Sequence, residues 1–119
     1  MNTIELTKSL ISCPSVTPEN AGVLDILEEE LNTIGFECKR YNFSEKGTPD
    51  VDNLFAKFGS EEPHFCFGGH TDVVPVGEEG AWSNNPFEPT EKNGNLYGRG
   101  ASDMKSAIAA FVCATKEFI

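Results

Sequence analysis

The sequence predicts an α/β fold in which helices flank a set of strands. Three observations carry this. Apolar residues recur at helical spacing near both ends of the 119-residue chain. Two middle stretches alternate bulky apolar with polar types, as half-buried strands do. A third, the run from His64 through Phe65, Cys66 and Phe67 to Gly69, is continuously apolar in the manner of a strand buried on both faces. The last helical pattern reaches the final residue with no stop signal, so the sequence is expected to be the front of an α/β domain.

Asn2 is placed to cap the first helix, and Glu5 stands where a capping box needs it. Ile4, Leu6, Leu10 and Ile11 form its apolar face, and Cys13-Pro14 ends it. Thr17-Pro18 is expected to open a second helix, with threonine as N-cap and proline at the first helical position. Val23, Leu24, Leu27, Leu31 and Ile34 give that helix its buried face, and Gly35 closes it. Residues 36–43 and 53–58 are the alternating strands, parted by a turn-rich break at 46–50. The buried run at 64–69 follows. Residues 71–100 are rich in Gly, Pro and Asn, and a loop of that length in a compact domain usually has a function. A short hairpin around Lys92-Asn93-Gly94 is expected to interrupt it. The final, alanine-rich helix starts near Asp103 and carries Met104, Ile108, Phe111 and Val112 on one side.

Charge narrows the function classes. The chain has 9 basic and 19 acidic residues, a net −10. Residues 1–60 hold 5 and 10 of these and residues 61–119 hold 4 and 9, so each part is −5 and neither is a basic arm. Nucleic-acid binding needs clustered Lys and Arg, and so does attraction to an anionic membrane. Neither partner is expected. No apolar run approaches the roughly 20 residues that span a bilayer. The N-terminus lacks a basic stretch leading into a long apolar one, so it reads as an amphipathic helix and not as a signal peptide. Cys13, Cys38, Cys66 and Cys113 contain no C-x-x-C pair, and reduced thiols in a cytoplasmic protein are expected.

Two short segments could do chemistry. His70 and Asp72, in Gly69-His70-Thr71-Asp72, fall at the C-terminal end of the predicted buried strand, where α/β sheets place ligands. In an extended chain both point to one face, about 7 Å apart along the backbone. An aspartate there can accept a hydrogen bond from one imidazole nitrogen and leave the other free for a metal. Taken alone, H-x-D is short, and a purely structural pair is the simpler reading. Asp103, in Gly98-Arg99-Gly100-Ala101-Ser102-Asp103, stands at the start of a helix, where peptide dipoles favour an ionised carboxylate. Alone, a plain N-cap is again simpler. Cys66 shares a predicted strand face with His70 but lies roughly 13 Å from it along the chain, too far to share a zinc ion. Cys66 is expected in the core and His64 beside it as a bystander. Glu28, Glu29 and Glu30 read as the solvated side of the second helix. There is no G-x-S-x-G elbow, and the glycines at 94, 98 and 100 lack the lysine of a phosphate loop.

The whole run from Gly68 to Lys105 changes that balance. It contains Gly-Gly-His-Thr-Asp-Val-Val-Pro-Val-Gly, then Trp82, then Pro86-Phe87-Glu88-Pro89, then Leu-Tyr-Gly-Arg-Gly-Ala-Ser-Asp-Met-Lys. This strongly resembles the dinuclear-zinc, M20-type peptidase and deacylase family, which includes acetylornithine deacetylase and related carboxypeptidases. Ser15-Val16-Thr17-Pro18, Asn53-Leu54-Phe55-Ala56 and the form Gly-His-Thr-Asp-Val-Val-Pro point within it to the desuccinylase branch. The resemblance covers nearly the whole chain.

The resemblance implies the N-terminal part of a zinc-aminopeptidase-like catalytic domain over residues 1–119, a mixed β-sheet flanked by helices. It implies two zinc ions, with cobalt as a substitute. His70 would bind one, Asp103 would bridge both, and Asp72 would orient and polarise His70. Gly98 and Gly100 would shape the loop that delivers Asp103, and the peptide after Asp103 would be cis. The activity implied is metal-assisted hydrolysis of a small-molecule amide. In the desuccinylase branch the amide is N-succinyl-diaminopimelate, on the route to lysine and cell wall. Acetylornithine or a dipeptide is the alternative substrate. The general-base glutamate, the remaining ligands and a dimerisation domain would follow residue 119, and the full-length family member is expected to be a homodimer. The alternative of another class is an inactive fragment or a small α/β interaction module.

Overall fold

A computed structural model describes all residues from Met1 to Ile119. Helix α1 (Thr3–Ile11) begins with the expected capping box: Asn2 accepts from the Glu5 amide, and the Glu5 side chain accepts from the Asn2 amide. Two orphan donors of the first turn are thereby satisfied. The helix buries Leu6, Thr7, Leu10 and Ile11.

Helix α2 (Val23–Thr33) starts later than the Thr17-Pro18 signal predicts. The Thr17 amide donates to the carbonyl of Val73 at 3.1 Å, and the Val73 amide to Ser15 at 2.9 Å. These bonds make a parallel bridge between Val16 and Val73. The segment is therefore held against a distant part of the chain and cannot coil. The chain turns through Ala21 and Gly22, both at positive φ. Gly22 holds the N-cap position of α2, and Asn20, two residues earlier, accepts from the Leu24 amide at 3.1 Å. Gly35 closes the helix in the left-handed region (φ 96°), and the Phe36 amide returns to the Leu31 carbonyl.

Strands β1 (Glu37–Phe43) and β2 (Val51–Lys57) form an antiparallel hairpin, in register from Glu37 opposite Lys57 to Phe43 opposite Val51. Their half-buried apolar residues, Cys38, Leu54 and Ala56, pack on the core. Strands β3 (Thr90–Lys92) and β4 (Asn95–Tyr97) form a second hairpin around Asn93-Gly94, as expected. Both turn residues have positive φ, which is the reason for the Asn-Gly pair. Helix α3 (Lys105–Phe118) follows. Nine buried residues from α1, α2 and α3 make the core: Leu6, Leu10, Val23, Leu24, Leu27, Leu31, Ile108, Ala109 and Val112.

The α/β class holds, but these strands make two separate hairpins and one isolated bridge instead of a single sheet. Residues 64–69 are the main departure. They form no ladder, and Phe65 is 83% exposed. A strand buried on both faces needs a neighbour on each side, and none of the 119 residues supplies one. Phe65 and Phe67 stack instead on Phe111 of α3, with ring centroids 6.2 and 4.3 Å away. Cys66 is exposed, not core. The triple glutamate is not simply solvated either, because Glu28 pairs with Arg40 at 2.8 Å. A broad open groove of about 1320 Å³ lies between β2, residues 64–70 and α3, floored by Leu27, Phe55 and Phe111. The molecule is a slab, 50 × 43 × 20 Å.

Candidate functional site

His70 follows the exposed run at the point where the chain meets α3. Gly69 allows that approach, since a Cβ there would lie 3.2 Å from Ile108 and 3.0 Å from Phe67. The His70 amide donates to the Met104 sulfur at 3.4 Å. Asp103 comes from the other side, at the end of the loop that runs from β4 to α3. Gly100 sits at positive φ, and a Cβ on it would meet the Lys105 side chain at 2.9 Å and Val73 at 3.1 Å. Gly98 is pressed against Ile11, 2.7 Å from where its Cβ would be. Both glycines are thus required by close approach. The Asp103–Met104 peptide is cis.

The structure brings His70, Asp72 and Asp103 together. His70 Nδ1 lies 2.9 Å from the Asp72 carbonyl and 3.3 Å from the Asp72 carboxylate. A carbonyl only accepts, so Nδ1 carries the proton. The opposite nitrogen, Nε2, lies 2.9 Å from Asp103 Oδ1. The Asp72 carbonyl, and then Asp103 and the Asp72 carboxylate, hold the imidazole pKa above its ordinary value against a partial loss of solvent. Asp72 therefore orients the ring through its backbone as well as its side chain. Asp103 does not cap α3: Met104 holds that position and no side chain caps the helix. Its carboxylate is open, 85% exposed, and aimed at His70.

One neutral-capable imidazole nitrogen and one free carboxylate oxygen suit a divalent cation such as zinc or cobalt. They are two donors, whereas a zinc site takes at least three from protein. No group of three or more His, Cys, Asp or Glu side chains here is arranged to hold a metal. The residues fit part of a ligand set.

Two buried polar side chains behind the site have no role in the sequence reading. Ser15 is fully buried, and its hydroxyl donates to the Thr71 carbonyl at 2.8 Å. Lys105 is fully buried, and its ammonium donates to the Cys13 carbonyl at 2.8 Å. Burial pushes the Lys105 pKa down to about 8. A signal for Lys105 was present: it falls on the buried stripe of α3 with Ile108, Ala109 and Val112, at spacings of three, four and seven. A lysine in that register is out of place unless it has a buried partner. Elsewhere, Arg99 lies over the Trp82 ring, 5.2 Å from its centroid, and donates to the Pro75 carbonyl, which clasps the long loop.

Residues 66–119 match the family described as Peptidase family M20/M25/M40. The chain is 58% identical, over 95% of its length, to a succinyl-diaminopimelate desuccinylase from Parvibaculum lavamentivorans, of which it covers 29%. It is 55% identical, over 98% of its length, to the enzyme of the same name from Bradyrhizobium diazoefficiens, of which it covers 30%. Among solved structures it is similar to human carnosine dipeptidase 1, with a TM-score of 0.86 and 25% identity, covering 98% of this chain and 28% of that one. The M20-type resemblance read from Gly68 to Lys105 is borne out, and so is the likeness to the desuccinylase branch. The chain spans about 30% of the length of these relatives. No helix is long and apolar enough to cross a membrane.

Proposed function

We propose that this chain is the N-terminal part of a metal-dependent amide hydrolase acting on N-succinyl-LL-2,6-diaminopimelate, with succinate and LL-2,6-diaminopimelate as products. The observation that carries the reading is the meeting of His70 Nε2 and Asp103 Oδ1 at 2.9 Å, with the other imidazole nitrogen tied to Asp72. The names of the bacterial relatives support the substrate.

His70, through Nε2, and Asp103, through its carboxylate, are the residues that would hold metal. Two zinc ions are the proposed cofactors, with cobalt as substitute. When bound, such ions polarise an amide carbonyl and lower the pKa of a bound water. Asp72 fixes the His70 ring and its tautomer, which keeps Nε2 aimed at Asp103. The proton-accepting glutamate and the other ligands lie outside these residues in this reading. The full-length polypeptide is proposed to be a cytoplasmic homodimer.

The test is hydrolysis of N-succinyl-LL-2,6-diaminopimelate by a polypeptide of desuccinylase length that carries these residues, supplied with zinc or cobalt. Activity is expected, and loss of it in His70→Ala. Full activity in that variant overturns the metal assignment. The likeness to a dipeptidase favours a second reading, in which the amide is that of a dipeptide. Rates on the succinyl amide, acetylornithine and a dipeptide, measured side by side, separate these.

A further inference from the structure

We propose that residues 13–17, together with buried Lys105, are the jig that sets the spacing between His70 and Asp103; this rests on the metal-holding reading above. Both segments that carry the site hang from this one stretch of chain. Segment 70–73 is held by three bonds: Ser15 Oγ to the Thr71 carbonyl at 2.8 Å, the Val73 amide to the Ser15 carbonyl at 2.9 Å, and the Thr17 amide to the Val73 carbonyl at 3.1 Å. They bracket Asp72 on both sides. The loop with Asp103 is held by Lys105, whose ammonium reaches the Cys13 carbonyl at 2.8 Å. The Lys105 stem lies across Gly100, and the Lys105 amide donates to the Gly100 carbonyl at 2.9 Å. The Cys13 carbonyl also accepts from the Ser15 amide at 2.7 Å, so the acceptor that receives Lys105 is bonded to the residue that holds Thr71.

Stability alone does not account for Lys105. It is the first residue of α3, where the helix dipole disfavours a cation. A buried ammonium with one acceptor costs more than a methionine of similar length. What the ammonium adds is direction. It fixes the start of α3, and with it Asp103 two residues earlier, to the chain that also fixes His70. Ser15 and Lys105 are thus positioning residues: neither touches the site, and each aligns one half of it.

The test is a Co²⁺ titration of a polypeptide of desuccinylase length that carries these residues, followed by the NMR signals of the His70 ring. The unsubstituted polypeptide is expected to bind, and Asp103→Ala is expected to lose that binding at the His70 ring. Ser15→Ala and Lys105→Met are each expected to raise the dissociation constant roughly 10- to 100-fold, the usual effect of removing an outer partner of a ligand. Their helical circular dichroism should stay native. If both variants are less heat-stable but bind Co²⁺ as the unsubstituted polypeptide does, they are merely structural and the inference is overturned. If Lys105→Met does not fold, Ser15→Ala decides, since it removes a single oxygen. If Asp103→Ala binds at the His70 ring as well as the unsubstituted polypeptide, or Co²⁺ leaves the His70 signals of that polypeptide unmoved, the metal-holding reading itself fails and the inference fails with it.

Discussion

The helical side of the molecule and its groove side both carry many apolar residues, yet they end differently. On the helical side, nine residues of α1, α2 and α3 close on one another. On the groove side, Phe55, Phe65 and Phe118 remain 54%, 83% and 93% exposed. Helices satisfy their own backbone and need only one apolar face covered, and three of them can cover each other. A strand needs a ladder as well as a face. The apolar content of a segment therefore says what it would bury, and the partners within reach decide whether it does.

The contrast can be broken first at Leu10, a fully buried residue of α1. Leu10→Ala should cost about 2–5 kcal/mol in a urea titration. A loss under about 0.5 kcal/mol, the size expected of an exposed site, would mean that the helical core is not closed. Gly98→Ala comes next. The new Cβ would lie 2.7 Å from Ile11, and forcing them apart should cost roughly 1–3 kcal/mol by the same measurement. Thiol chemistry sharpens the comparison from the other side. Burial pushes the Cys13 and Cys38 thiols up, while Cys66 is exposed. A higher pKa leaves less thiolate at a given pH, and each unit lowers that fraction about tenfold. Mass spectrometry after brief alkylation at mildly alkaline pH should find Cys66 modified first. Equal rates at all three would show the hairpin and the α1 end to be open. The smallest effect is expected at the groove: Phe65→Ala should change stability by less than about 0.5 kcal/mol, and a larger loss would mean that its stack on Phe111 holds the fold.

The same division explains what could be read from the sequence. The capping box at Asn2, the glycine stop at Gly35 and the Asn93-Gly94 turn are local devices, and each stands where it was expected. The start of α2 was misread because the Thr17 amide is used by Val73, a partner 56 positions away that no window around Thr17 contains. Residues 64–69 were misread because an apolar run records a demand for neighbours and not their presence. The candidate site was legible through its motifs: His70 and Asp72 two apart, and Asp103 behind two glycines. Ser15 was not, because a buried serine looks like any other until its acceptor is known, whereas Lys105 carries a signal in its register with Ile108, Ala109 and Val112.

The hold between Cys13 and Lys105 also imposes an order of events on the growing chain. Its two ends are 92 residues apart. At a synthesis rate of about 5–20 residues per second, the Cys13 carbonyl is made roughly 5–18 s before the ammonium that will bind it. The capping box of α1 is complete at once, while the exit from that helix waits for its partner. The alignment of His70 with Asp103 is settled only when the start of the last helix leaves the ribosome.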